Sequence, residues 1–150
     1  MSRTTIEAPF SETEIETEAE RLLAKLMHVD CDSRHSWNIE TCRSVAPLTL
    51  EINALKKEKE AIILAHSYVE PEIVYGVADF SGDSYFLSMK AREAKARRII
   101  FSGVVFMAET AKILSPAAEV LVPDRNSGCS LADSLTGEQL RELKAAYPEA

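Results

Sequence analysis

Positive charge is in short supply in this chain: 17 lysines and arginines stand against 24 aspartates and glutamates, for a net charge of −7 at pH 7. Nucleic-acid and anionic-membrane partners ask for clustered Lys and Arg. The one basic knot, Lys95, Arg97 and Arg98, sits where a helix end would favour cations in any case. Neither kind of partner is expected. Long apolar runs are missing too, since none approaches the ~18 residues needed to cross a bilayer. Residues 1–7 carry no apolar segment of the secretory kind, so a cytoplasmic location is expected. Cysteine is scarce: three in 150 residues suggest free thiols or metal ligands more than a disulfide framework. No internal repeat or low-complexity tract is present. What remains is an ordinary globular composition, 46% hydrophobic and 27% charged. The length is about one domain's worth, and such a chain can bury roughly two-thirds of its unfolded surface.

Glu12, Glu14, Glu16, Glu18 and Glu20 alternate with Thr13, Ile15, Thr17 and Ala19, which imitates a strand. Ile15, Ala19, Leu22, Leu23 and Leu26 recur at helical spacing instead, and Ser11 with Glu14 forms a capping box. The spacing predicts an amphipathic helix over 12–27 whose acids form a solvated face; docking of that face on a partner is the rival reading. Residues 28–47 show no clear period and read as a linker or an irregular wrap, followed by a helix over 48–59 with Leu48, Ile52 and Leu55 on one face. From residue 61 the pattern changes. Ala61-Ile62-Ile63-Leu64-Ala65, Arg98-Ile99-Ile100-Phe101-Ser102 and Glu119-Val120-Leu121-Val122-Pro123 are short apolar runs of the buried parallel-strand kind. Helical patterns begin at Pro71 and near Asp83-Ser84, cover 106–114, recur briefly over 130–135, and end with 137–146, capped by Thr136 and Gln139. Alternation of strand and helix implies an α/β, three-layer unit with a three- to four-stranded parallel sheet, preceded by an N-terminal helical extension.

Ligands of open α/β sheets gather beyond the carboxyl ends of the strands. His66 and Tyr68 follow the first strand and bring a group that titrates near neutrality and a phenol. Their alternative role is packing at a strand end. Ser81-Gly82-Asp83-Ser84 offers a tight turn and a helix cap whose free amides suit a carboxylate or phosphate, or simply a cap. Gly128-Cys129-Ser130 places a thiol at an expected helix start, which favours the thiolate. It could serve as nucleophile, as one ligand of a metal cluster, or as a buried small hydrophobe. His28, Cys31, His35 and Cys42 include nitrogen and sulfur donors that zinc takes, but the spacing matches no standard finger. Unrelated surface and core residues are the favoured reading there.

Several of these segments are familiar together. Ala65-His66-Ser67-Tyr68, Pro71-Glu72-Ile73, Ala78-Asp79-Phe80 and Gly82-Asp83-Ser84 come first. They are followed by the run from Gly103 through Phe106-Met107-Ala108-Glu109-Thr110-Ala111-Lys112-Ile113-Leu114, and by Gly128-Cys129-Ser130-Leu131-Ala132-Asp133. In order and spacing, across residues 48–147, they resemble the quinolinate synthase family. The resemblance implies a transferase of NAD biosynthesis that condenses iminoaspartate with dihydroxyacetone phosphate, with iminoaspartate supplied by L-aspartate oxidase or aspartate dehydrogenase. It further implies a [4Fe-4S] cluster held by three cysteines, one from each of three similar domains, with an open iron acting as Lewis acid. Residue by residue, Cys129 matches the first domain's cluster ligand. His66 and Ser84 match groups that hold substrate carboxylates, and Tyr68 matches a tyrosine active in proton transfer. Phe106, Met107 and Glu109 match the site's wall, with Met107 against substrate. Ser67 stands where the family usually has Tyr or Asn, Val69 where it often has Gln, and Val105 where an acid or other polar residue is common, which touches pocket shape. Two further domains, their cysteines and a later glutamate base have no counterpart in this sequence. The expectation is therefore an extension over 1–45, the first quinolinate synthase domain over 46–150, and a chain inactive alone. A stand-alone α/β module binding a dicarboxylate or sugar phosphate is the alternative.

Overall fold

The computed structural model describes residues 10–29 and 36–149. Helix α1, Glu12–Leu26, starts at the expected capping box: the Glu14 amide donates to Ser11 Oγ and the Ser11 amide to Glu14 Oε2. Its buried stripe of Ala19, Leu22 and Leu26 packs on Cys42 and Ala46 of helix α2, Ile39–Glu58. Each buried leucine of this kind stabilises by about 1.5–3 kcal/mol. Two expectations need correction here. Residues 39–47, read as irregular, are helical, starting from Asn38, whose side chain accepts from the Thr41 amide. The helix runs unbroken across residues 45 and 46 and carries Pro47 in its interior. Proline removes one backbone donor there, but the seam formed by Cys42, Ala46 and Thr49 against α1 keeps the rod continuous. That seam is the buried face of α2, whereas Leu48 is 55% exposed. Glu18 is the second correction. It is only 7% exposed, so it does not belong to the solvated acidic face.

The sheet is fully parallel, in the order β2-β1-β3-β4, with β1 Ala61–His66, β2 Phe80–Gly82, β3 Arg98–Ser102 and β4 Glu119–Leu121. The fold class is as expected, and β2 supplies the fourth strand. The Ser81-Gly82 stretch read as a turn is the end of this short edge strand, paired through Ala65↔Ser81 and His66↔Gly82. Helices α4, Ser84–Glu93, and α5, Val105–Leu114, cover one face. There Leu87, Ala91, Met107, Ala108 and Ala111 meet Leu64, Ile99 and Phe101. On the other face, Ile63 and Ile100 line a hollow of about 370 Å³ with Ile52 and Leu55 of α2. Helix α3, Pro71–Gly76, also lies against β1, and α1 packs outside on α2 and α3. Between α2 and β1, Glu60 takes a left-handed backbone, φ 51°, at a position that usually holds glycine.

After β4 the helix expected over 130–135 is a single 3-10 turn, Ala132–Ser134, so no helix dipole faces Cys129. Helix α6, Gly137–Ala146, has its Thr136/Gln139 capping box but buries none of its residues. No helix among the described residues is long and apolar enough to cross a membrane.

Candidate active site at the carboxyl edge of the sheet

Parallel strands deliver their following loops to one edge, and three of the four loops here carry the sequence's reactive groups. His66 ends β1. Two residues on, Tyr68 folds back so that the two rings lie 4.0 Å apart, centroid to centroid, tilted by 31°. The Tyr68 amide donates to His66 Nδ1 at 3.4 Å, so Nδ1 is the acceptor and the neutral ring carries its proton on Nε2. Burial pushes the His66 imidazole below its ordinary value of 6.5, against the pull of the Asp83 carboxylate. The ring is therefore biased towards the neutral, hydrogen-bond-donating form.

The Tyr68 hydroxyl accepts a hydrogen bond from the Val104 amide at 3.1 Å. Val104 is the N-cap residue of α5, so this N–H is one of the free donors at a helix start. With its oxygen accepting there, the phenol keeps its own proton to give elsewhere. Sequence reasoning missed this backbone group. The only trace of it is Gly103 between β3 and α5, where an added Cβ would stand 3.1 Å from the Phe101 ring and 3.6 Å from His66 Cβ. Gly103 thus lets the backbone pass close to Phe101 and His66 just before α5.

Ser84 opens α4 behind Asp83, whose carboxylate caps the helix by accepting from the Phe86 amide at 2.8 Å. The Ser84 hydroxyl lies 3.8 Å from Met107 Sδ, to which it donates a weak bond across to α5. A Cβ at Gly82 would come within 2.6 Å of the Phe86 ring, which would have to shift to admit it. His66 is paired with Gly82 across the sheet, which sets Ser84 two residues beyond that partner.

Cys129 follows a loop built on local bonds. The Asn126 amide donates to Asp124 Oδ1, and the Gly128 amide to the Asn126 carbonyl. The Val105 amide, donating to the Ser127 carbonyl at 2.8 Å, ties that loop to the start of α5. Tyr68, Gly103, Val104, Asp124 and Gly128 line a common hollow of about 330 Å³, and the partly exposed Cys129 is the next residue along the chain. The edge thus gathers His66 with Tyr68, and Ser84 with Met107, and brings the loop before Cys129 against Tyr68. Phe106 and Glu109 lie exposed on α5.

The other donors go elsewhere. Cys42 is fully buried among the side chains between α1 and α2, and burial pushes its thiol up. It acts as a small hydrophobe and is removed from the zinc reading; Cys31 and His35 lie outside the described residues. Arg98 of the basic knot pairs with Glu119 at 2.7 Å.

The family model for quinolinate synthetase A protein matches residues 50–150. The chain belongs to the quinolinate synthase family. Among curated relatives, the quinolinate synthase of Caulobacter vibrioides is 50% identical over 112 residues, which cover 75% of this chain and 29% of that protein. The quinolinate synthase of Agrobacterium fabrum is 55% identical over 94 residues, 63% of this chain and 27% of its own length. That of Trichodesmium erythraeum is 57% identical over 96 residues, 64% of this chain and 29% of its own. The chain thus spans less than a third of the length of the quinolinate synthases it matches. Whether its residues suit an iron–sulfur cluster can be judged from the donors. Cys129 offers one partly exposed free thiol, of the kind such a cluster takes, and among the described residues no three of His, Cys, Asp and Glu converge to hold a metal.

Proposed function

We propose that this chain supplies one wall of a quinolinate synthase site, in which iminoaspartate and dihydroxyacetone phosphate condense to quinolinate in the cytoplasm, and that alone it does not turn over. The observation that carries the reading is the His66–Tyr68 pair, stacked at the carboxyl end of the sheet with the phenol oxygen held by the Val104 amide. A neutral His66 with its proton on Nε2 is a donor for a substrate carboxylate. Ser84, at the first turn of α4, adds a hydroxyl beside the helix's free amides. Tyr68, its oxygen already accepting, can pass its proton to a substrate oxygen and take one back, as a general acid–base group must. Met107 shapes the floor next to Ser84. A [4Fe-4S] cluster, with Cys129 as one ligand, would supply a Lewis acid to polarise substrate oxygen.

The test is a replacement. Residues 50–150 of this chain replace the matching segment of the Caulobacter vibrioides quinolinate synthase, and the chimera is purified without oxygen. Quinolinate formation is expected, with Tyr68→Phe reducing it on the order of a hundredfold, the usual size of an acid–base contribution. A folded chimera that makes no quinolinate, or one indifferent to Tyr68→Phe, overturns the reading. Calorimetry on the chain alone addresses the rival: tight binding of malate or dihydroxyacetone phosphate would favour a stand-alone module, and silence at millimolar ligand counts against it.

A further inference from the structure

Helix α3 begins three residues after Tyr68 and has only six residues, too few to persist without outside support. Its last carbonyls have no partners within the helix. Side chains from α1 and α2 meet them. Arg21 donates to the Gly76 carbonyl at 3.0 Å and to that of Tyr75 at 3.4 Å, and Lys25 also reaches Tyr75. Asn53 donates to Gly76 at 3.1 Å and Lys56 to Val77 at 2.7 Å. Three cations at a helix C-terminus also suit its dipole.

Arg21 is itself aimed. Its Nε and one terminal nitrogen grip both oxygens of Glu18 at 2.6 Å, and the Thr49 hydroxyl of α2 donates to Glu18 Oε1 at 2.6 Å. Burial alone would raise the Glu18 carboxyl, but the Arg21 and Thr49 hydrogen bonds outweigh it and hold the group below its ordinary value. Gly76 sits where these three helices meet, and a Cβ there would stand 3.0 Å from Thr49 Cγ2 and 3.4 Å from Leu22 Cδ2. The acid of α1 that leaves the solvated face thus has an internal partner. Residues 12–26 also fall outside the family-model match, which starts at 50.

We propose that α1, through Arg21, is a positioning element for the Tyr68 wall: it clamps the C-terminal end of α3 and so fixes the 67–70 segment that joins α3 to β1. Its catalytic consequence rests on Tyr68 belonging to the site, whereas the clamp itself does not.

The test uses the full chain with Arg21→Met, which keeps bulk and removes the donors, and Arg21→Lys as conservative rescue. Amide hydrogen exchange over residues 67–78 is expected to rise on the order of tenfold in Arg21→Met, as a local opening, with 99–111 unchanged. The rise is expected to be smaller in Arg21→Lys. The His66 imidazole proton resonance is expected to move as its stacking on Tyr68 loosens, a signal that a purely global loss of stability would not single out. If Arg21→Met fails to fold, Glu18→Gln, which frees the guanidinium from its ionic grip, should show the same local rise in weaker form. Unchanged exchange over 67–78, or an equal rise over 99–111, refutes the clamp. A local rise in a chain whose Tyr68→Phe chimera keeps full activity would leave the clamp standing and remove the site reading alone.

Discussion

Replacing Glu60 by glycine should stabilise this protein, although it deletes a side chain and one ion pair. Glu60 holds φ at 51° in the link from α2 to β1. A left-handed conformation costs an ordinary L-residue about 1–2 kcal/mol, and glycine escapes it. Against this, glycine gives the unfolded chain extra freedom, about 0.5–1 kcal/mol. The ion pair lost is that to Arg97, 3.8 Å long with both side chains about 70% exposed, and exposed pairs of that kind contribute almost nothing. The backbone bond that matters, from the Arg98 amide to the Glu60 carbonyl at 3.3 Å, survives the change. The balance is a gain of about 0.5–1 kcal/mol, or roughly 2–3 °C in Tm at this size. Urea denaturation of Glu60→Gly beside Glu60→Ala measures it, since alanine loses the same ion pair but keeps the strain. The midpoint should rise for glycine and stay near wild type for alanine. A glycine variant no more stable than the alanine variant would refute the strain argument.

Two further outcomes follow from His66 and from the Thr49–Glu18 bond. Because burial lowers the His66 pKa in the folded state below 6.5, the unfolded chain binds more protons just under that pH. Stability should therefore be complete above about pH 6.5 and decline as pH falls through the folded-state value; urea midpoints across pH 5–8 should show a slope that His66→Asn flattens. Thr49→Val keeps the shape of the side chain but removes the hydroxyl bound to Glu18, and should lose about 1.5–3 kcal/mol, as for a bond to a charged group. A urea midpoint within error of wild type would show that Glu18 finds another donor.

The strands and the α/β class were legible because Ile62–Leu64 and Ile99–Phe101 are continuous apolar runs, and a helix-starting motif such as Ser11/Glu14 is local in sequence. What escaped was decided by tertiary contact. β2 is three residues long and exists by pairing with β1. The first half of α2 is specified by Cys42, Ala46 and Thr49 meeting α1, a spacing hidden by Pro47 and by polar neighbours. Glu18 reads as one more acid in a row of acids until Arg21 and Thr49 are seen around it. At the candidate site, His66, Tyr68, Ser84, Met107 and Cys129 are candidates that the sequence offers, but the Val104 amide that bonds Tyr68 is not legible there, because a backbone N–H has no letter.

The claim that this chain forms one wall of a quinolinate synthase is tested most directly by iron and sulfide analysis of the Caulobacter vibrioides chimera, purified without oxygen. A second version carries Cys129→Ala, and a third carries Glu142→Ala on the exposed helix α6 as a control away from the sheet edge. A full [4Fe-4S] complement and quinolinate formation are expected in the chimera and in Glu142→Ala, and loss of both in Cys129→Ala with the fold retained. An unchanged cluster in Cys129→Ala would contradict the claim.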